Sequence, residues 1–222
     1  MRSESTGVQA GVLIPLKSFH HAKARLSSLL SRRERSALAA QMALGVVRAA
    51  APLPTFVVCD DDDVAEWARE HGVEPLLREA PGLSAAVQSG VAEMMARGID
   101  HFVVAHGDLP LAGAAPGALG QFVVPGEVRL VTDARRDGTN VMSLPAGLGW
   151  RFAYGSGSCE RHVAEAQRLG LNIEVVENRL FSVDLDLPDD IAQVWSILRA
   201  DPDVARHCEE IAALLPGDDT RP

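Results

Sequence analysis

The chain has 222 residues, 47% hydrophobic and 23% charged, with 30 acidic against 21 basic side chains and a formal net charge of −9. Those figures suit one compact domain with a sizeable core, or at most two small ones. They argue against a nucleic-acid coat or a polybasic membrane anchor, because both neutralise phosphates with surplus Lys and Arg, so any bound anion must be held by a local basic cluster.

Taken in chain order, the first apolar run, Gly11 to Leu16, reads as a buried strand. Ser31 and Glu34 form an S-x-x-E capping box, which predicts a helix to about Ala51 that Pro52 ends. Thr55 to Cys59 is the second strand, and Asp63 with Glu66 predicts the start of a second helix, with Gly72 just past its end. A strand at Val73 to Leu77 precedes a third helix from about Ser84 to Arg97, stopped at Gly98 where a left-handed residue is easily tolerated. His101 to Ala105, Val128 to Thr132 and Val141 to Leu144 are three more strands, the first separated from the other two by an Ala, Gly and Pro-rich stretch. Helices are predicted from Ser158 to Leu169, with Ser158 as cap, from Pro188 to Leu198, and from Asp201-Pro202 to near Pro216. Strands alternating with helices predict a mostly parallel sheet covered by helices on both faces, in one domain over 10–216 with disordered tails at 1–9 and 217–222.

Cys59, Cys159 and Cys208 are odd in number and contain no CxxC pair, so a disulfide framework or zinc site is not expected. No stretch reaches 18 uninterrupted apolar residues and Met1 to Gln9 is polar, so the expected location is the cytoplasm.

Ligands of open α/β sheets bind at the carboxyl ends of strands. After the first strand comes Pro15-Leu16-Lys17, then Lys23 and Arg25. Six basic residues stand against one acidic residue between Gly11 and Arg35. The chain uses nineteen arginines and only two lysines, and both lysines fall in this loop. A compact, mobile ammonium suits polyphosphate oxygens, which points Lys17, Lys23 and Arg25 at a phosphate; Arg32, Arg33 and Arg35 are expected to be surface. The fourth strand ends in His106-Gly107-Asp108-Leu109-Pro110, where an Asp at the strand mouth can hold a hard cation or form a turn. In Phe181 to Pro188, Asp184 and Asp186 at i and i+2 face one side if the backbone is extended, although Asp186 could instead cap the following helix. Three aspartates from two distant strand ends make an oxygen-rich magnesium site. Asp137-Gly-Thr139-Asn140 and Gly155-Ser-Gly157-Ser158 add hydroxyls, an amide and backbone N–H groups. The seven histidines show no metal-type clustering; they are expected to be surface or satisfied core groups, with His162 nearest a site. Asp60 to Asp63 reads as a solvated turn, and neither a G-x-S-x-G elbow nor a nucleophilic Cys context is present.

P-x-K (Pro15, Lys17), A-K-x-R-L (Ala22 to Leu26), L-S-x-x-E-R (Leu30 to Arg35), G-D-L-P-L (Gly107 to Leu111), D-G-T-N (Asp137 to Asn140), G-x-G-S-x-x-x-H (Gly155 to His162) and D-x-D-x-P-x-D (Asp184 to Asp190) follow in this order. Together they resemble the 2-phospho-L-lactate and phosphoenolpyruvate guanylyltransferases of coenzyme F-420 biosynthesis, over about Gly11 to Leu198. The resemblance implies an α/β, Rossmann-like nucleotidyltransferase of glycosyltransferase-A type. It implies transfer of GMP from GTP to the phosphate of 2-phospholactate, phosphoenolpyruvate or 3-phospho-D-glycerate, with release of pyrophosphate and with Mg2+ as cofactor. On matching positions, Asp108, Asp184 and Asp186 are the magnesium ligands, and Thr139, Gly155 and Ser158 hold the acid. Lys17, Lys23 and Arg25 face the GTP phosphates, and Pro15, Leu83 and Ser84 lie at the nucleotide. Where the family shows L-N-x-A this chain reads Leu83-Ser84-Ala85-Ala86, and Ser offers guanine fewer hydrogen bonds than Asn. The implied partners are GTP, the acid and the deazaflavin transferase that consumes the product, with no nucleic acid or membrane. Two other readings are a molybdenum-cofactor or sugar-phosphate nucleotidyltransferase and a non-catalytic nucleotide-binding protein. The first usually opens with a glycine-rich loop after strand one, and no glycine occurs between Gly11 and Gly45; three retained aspartates speak against the second.

Overall fold

The computed structural model describes residues 8–217, so the expected tails at 1–9 and 217–222 lie outside the described residues except for 8, 9 and 217. Seven strands form one sheet: β1 (Ala10–Pro15), β2 (Thr55–Cys59), β3 (Glu74–Leu77), β4 (His101–Ala105), β5 (Val128–Thr132), β6 (Thr139–Pro145) and β7 (Ile173–Val175), in the order β3-β2-β1-β4-β6-β5-β7. Only β6 runs against its neighbours. The cause is the turn between β5 and β6. Asp133 Oδ1 accepts the Asp137 N–H at 2.8 Å, Arg136 takes a left-handed φ of 59°, and the Thr132 hydroxyl donates to the Gly138 carbonyl at 2.9 Å, which folds the chain straight back.

Helices cover both faces, as the alternating pattern predicts. On one face α1 (Arg32–Ala50) and α2 (Asp62–Glu70) pack on Val12, Ile14, Val57 and Val103; on the other α3 (Leu83–Ala96) and α4 (Ser158–Arg168) pack on Leu13, Phe56, Phe102 and Met142. The alternation of burial along β1, with Val12 and Ile14 on one face and Leu13 on the other, is the period-two consequence of an extended backbone buried on both sides. A third cluster gathers Leu26, Leu38, Val183 and Leu185 under α5 (Pro188–Ala200), α6 (Pro202–His207) and α7 (Glu209–Leu214). It ties the 181–187 segment to the loop after β1.

The Ser31 capping box is present in both directions, the Glu34 carboxylate accepting from Ser31 N–H at 2.7 Å. Several boundaries differ from the sequence expectation. Asp61, not Asp63, caps α2 and accepts the Val64 N–H at 3.0 Å; a run of four aspartates offers four candidate caps, and the extended backbone at Asp61 decides. Ser158 is the first residue of α4 and left-handed Gly157 precedes it, because the serine hydroxyl is turned inward. Asp186 does not cap α5. Asp190 reaches back instead, accepting the N–H groups of Asp186 and Leu187 at 2.8 and 2.7 Å on one oxygen. The last predicted helix is two, broken at Cys208. Arg35 is half-buried and donates to the Leu30 carbonyl at 2.7 Å, where a surface position was expected, and the three cysteines are unpaired thiols.

Candidate active site

In the strand order the chain leaves β1 toward β2 on one side, while β4 lies on the other. Loops from β1 and β4 therefore diverge at their carboxyl ends and leave a crevice. A cleft of about 570 Å³ occupies it, walled by Pro15 to Lys23 after β1, by His106 to Asp108 after β4, and by Leu83 and Asp186. Gly107 makes a close approach there. A Cβ at that position would lie 2.2 Å from Leu16 Cδ2, so any larger residue would push the Leu16 side chain out of its place on the cleft wall as the β4 loop passes the end of β1 and delivers Asp108.

The second acidic segment is brought to Asp108 by backbone bonds. The Asn140 amide donates to the Phe181 carbonyl at 3.0 Å, and the Leu185 N–H to the Asp108 carbonyl at 3.3 Å. Between these anchors Phe181, Val183 and Leu185 are buried while Ser182, Asp184 and Asp186 are not, the alternation expected of an extended segment, so Asp184 and Asp186 share a side. Asp190 then holds Asp186 through its backbone N–H and is itself paired with Arg135.

Asp108 and Asp186 converge on one cation, the ammonium of Lys23. Its Nζ lies 2.7 Å from Asp108 Oδ2 and 2.8 Å from Asp186 Oδ1, and the side chain is 8% exposed. Burial disfavours the lysine charge, but the two carboxylates outweigh it and the pKa is raised. Burial likewise works against ionised Asp108, yet the Lys23 charge holds it down to about 2. Asp184 has no such partner, and burial followed by the negative charge of Asp108 pushes it up to about 6. The remaining oxygen of Asp108, Oδ1, is buried without a hydrogen-bond partner. Among the described residues no three His, Cys, Asp or Glu side chains form a ready-made metal cage. What the structure shows of the expected aspartate trio is the Asp108–Lys23–Asp186 bridge with Asp184 beside it.

The other expected site residues divide. Lys17 and Leu83 face the cleft with Pro15, whereas Arg25 is exposed and outside the lining. Ser84 accepts the Tyr154 N–H at 2.9 Å, so its hydroxyl is turned toward that loop. Thr139, Gly155 and Ser158 do come together: the Ser158 N–H donates to Gly155 O at 2.9 Å, and the Ser158 hydroxyl to Thr139 Oγ1 at 3.3 Å. Both hydroxyls are buried. They meet His162, whose Nε2 accepts the Ala153 N–H at 3.0 Å; Nδ1 therefore carries the ring proton and donates to Thr139 Oγ1 at 3.0 Å. Burial and then Arg161 lower the His162 pKa to about 4 and keep the ring neutral. Arg161 also holds the turn containing Gly155, donating to the carbonyls of Ala153 and Ser156.

Sequence reasoning quoted Asp190 as the end of a motif without giving it a role, and missed Arg135 and Arg161. The acid three residues into α5 was a capping-box signal for the first; the two arginines carry no local signature. His106 departs from the expectation of satisfied histidines, since its Nε2 is buried without a partner.

An α/β sheet with strand-end carboxylates and a cationic loop at its central crevice suits a nucleotidyltransferase, and comparison with known proteins shows that class. The sequence model of the family described as "CofC: Guanylyl transferase CofC like" matches residues 10–201. The chain belongs to this family. It is 31% identical over 185 residues, 79% of this chain and 92% of the relative, to a phosphoenolpyruvate guanylyltransferase of Chloroflexus aggregans. It is 30% identical, covering 82% of each chain, to a 2-phospho-L-lactate guanylyltransferase of Methanothermobacter thermautotrophicus. A solved nucleotidyl transferase of Methanothermobacter superposes with a TM-score of 0.58 at 17% identity, over 88% of this chain and all of that one. The protein is thus a guanylyltransferase-family enzyme on the nucleotidyltransferase fold.

Proposed function

We propose that this enzyme transfers GMP from GTP to the phosphate of a three-carbon phosphorylated acid (phosphoenolpyruvate, 2-phospholactate or 3-phospho-D-glycerate), releasing pyrophosphate, in coenzyme F-420 biosynthesis. The observation that carries the reading is the convergence of Asp108 and Asp186, from segments 78 residues apart, around one positive charge beside a cleft that also carries Lys17. Both named relatives act on acids of this kind, and the names of both specify guanylyl transfer.

The reaction needs little proton chemistry. A phosphate monoester has a second pKa of about 6, so the attacking oxygen of the acid is already largely ionised at neutral pH. The nucleophile is this oxygen, the α-phosphorus–oxygen bond to pyrophosphate breaks, and no side chain has to act as base. Two polyanions must instead be brought together, and the work of the protein is positioning and screening. Lys17 is the cleft lysine that no carboxylate holds, Lys23 is the one paired with Asp108 and Asp186, and Leu83 and Pro15 line the space beside them. The Thr139, Ser158 and His162 cluster fixes the start of α4 and the Gly155 turn, where we place the acid.

The carboxylates fit a hard divalent cation: they already enclose a cation, one oxygen of Asp108 lacks a partner, and Asp184 makes no ion pair among the described residues. Asp108, Asp186 and Asp184 would hold Mg2+, which when bound supplies charge screening for the α-phosphate and the leaving pyrophosphate. The test is pyrophosphate release by purified protein with Mg2+, each NTP and each of the three acids. Release with GTP alone among the nucleotides, in the presence of one acid, is expected. Equal rates with other nucleotides, or no release with any acid, would overturn the assignment.

A further inference from the structure

Lys23 is one of two lysines in the chain, and its ammonium occupies the place where the acidic side chains meet. Its backbone is left-handed, with φ 52° and ψ 41°, a region a lysine seldom adopts. The residue joins two single 3₁₀ turns, Phe19–His21 and Ala24–Leu26, in a loop that forms one wall of the cleft. Lys17, on the same wall, has no ion-pair partner among the described residues and is exposed. The two lysines of the cleft are therefore in different states: one is free for a ligand and one is held by carboxylates.

Divalent magnesium draws its oxygen ligands to about 2.0–2.1 Å. The oxygens that face the Lys23 ammonium cannot close on a second cation while the first remains between them. Building on the proposed nucleotidyl transfer, we propose that the Lys23 ammonium is a resident stand-in for the divalent ion. It competes with the ion for Asp108 Oδ2 and Asp186 Oδ1, and it is released toward nucleotide phosphates only when ion and nucleotide enter together.

Without a cation between them, Asp108 and Asp186 would face each other with Asp184 adjacent, and like charges at a partly buried site are costly. Lys23 removes that cost. The same contacts make metal binding without nucleotide unfavourable, because two ion pairs must be broken and the ammonium moved into solvent. A nucleotide triphosphate reverses the balance by offering the displaced ammonium new anionic oxygens. The order of entry follows: the ion arrives with the nucleotide.

The first measurement is Mn2+ binding without nucleotide, read from the electron paramagnetic resonance signal of free Mn2+. Lys23→Met should bind Mn2+ at least about tenfold more tightly than the unaltered protein, a change of the size expected for removing one member of a coupled charge cluster. The gain should vanish in Lys23→Met/Asp108→Asn. Equal or weaker binding in Lys23→Met overturns the proposal, and so does tightening that survives Asp108→Asn. The second measurement needs no variant of Lys23. With 13Cε-labelled lysine the protein has two side-chain signals, assigned by the loss of one in Lys17→Arg. The Lys23 signal should shift with Mg2+ plus a non-hydrolysable GTP analogue and stay in place with Mg2+ alone at the same concentration. A Lys23 signal that ignores the complex, or that moves fully with Mg2+ alone, overturns the competition. Mn2+ affinity governed by Lys23 in a protein that makes no pyrophosphate would sink the proposed reaction and leave this inference standing. Normal turnover with Mn2+ affinity indifferent to Lys23 would do the reverse.

Discussion

Asp190 gives the sharpest test of how the acidic segment is held. One of its oxygens accepts the backbone N–H groups of both Asp186 and Leu187, and the other is paired with Arg135, at a side chain 3% exposed. In Asp190→Ala both donors and the guanidinium lose their partner at the start of α5. Hydrogen bonds to a charged group contribute about 1.5–3 kcal/mol each and a lost helix cap about 1 kcal/mol, but the three effects share one side chain and are not additive. Asp186 and Leu187 are only partly buried, so water recovers part of the loss. A destabilisation of about 2–3 kcal/mol is expected, lowering the urea midpoint by about 1 M at a slope typical of a domain of this class. Because both N–H groups meet the same oxygen, Asp190→Asn can keep both bonds with its amide carbonyl, while its NH2 now faces the guanidinium donors and the half-exposed Arg135 must turn to solvent. It should cost about 1 kcal/mol less than Asp190→Ala. Urea unfolding followed by circular dichroism measures both variants. Equal losses for the Ala and Asn variants would refute the view that this acceptor oxygen, rather than the charge, positions Asp186.

Asp108→Asn and Asp186→Asn should each lower pyrophosphate release at least about 100-fold while the circular dichroism spectrum is kept, since charge at the meeting point of two phosphates is what the site supplies; wild-type rates in either would remove that residue from the chemistry. Ser31→Ala should cost about 1 kcal/mol by removing the hydroxyl that accepts the Glu34 N–H at 3.3 Å, with activity retained, and calorimetry reads the shift. His162, neutral in the folded state with a pKa lowered from 6.5 to about 4, makes stability fall on acidification. Between those values the unfolded chain takes up a proton that the folded chain refuses, so stability is full above pH 6.5 and declines by about 3 kcal/mol on descending to pH 4. In His162→Gln that acid limb should flatten, and an unchanged slope in urea titrations across this range would place its origin elsewhere.

Much of the architecture was legible because it depends on local chemistry. Thr55–Cys59, His101–Ala105 and Val128–Thr132 have the bounds expected from their Val-rich runs, and the Ser31 box opens α1 where the spacing requires. The seventh strand escaped notice because Ile173–Val175 is three residues long and largely exposed at the sheet edge, with no periodicity to read. The reversed direction of β6 was hidden for a different reason: it is set by a turn in which a side chain, Asp133, closes the backbone, and a short gap between two strands does not reveal its path. At the site, Gly107 and Asp108 could be picked out because they follow a buried strand, and Asp184 and Asp186 because alternate residues of an extended segment share a face.

Pairing across the chain was the illegible part. Lys23 and Asp108 were each singled out, but as ligands of different things, the lysine for phosphate and the aspartate for metal. Nothing in their local sequence places an ammonium against that carboxylate at 2.7 Å; the contact arises from the burial of Leu26 with Val183 and Leu185 in the third core, which draws the loop after β1 against the 181–187 segment. The same apolar contacts that close the domain at this end thereby bring one cation among three acids. A site assembled this way carries its counter-charge with it, and a chain with only two lysines spends one of them inside its own acidic cluster. The basic loop and the acidic strand ends are, on this geometry, one electrostatic unit: any substitution in either should be read by its effect on the other.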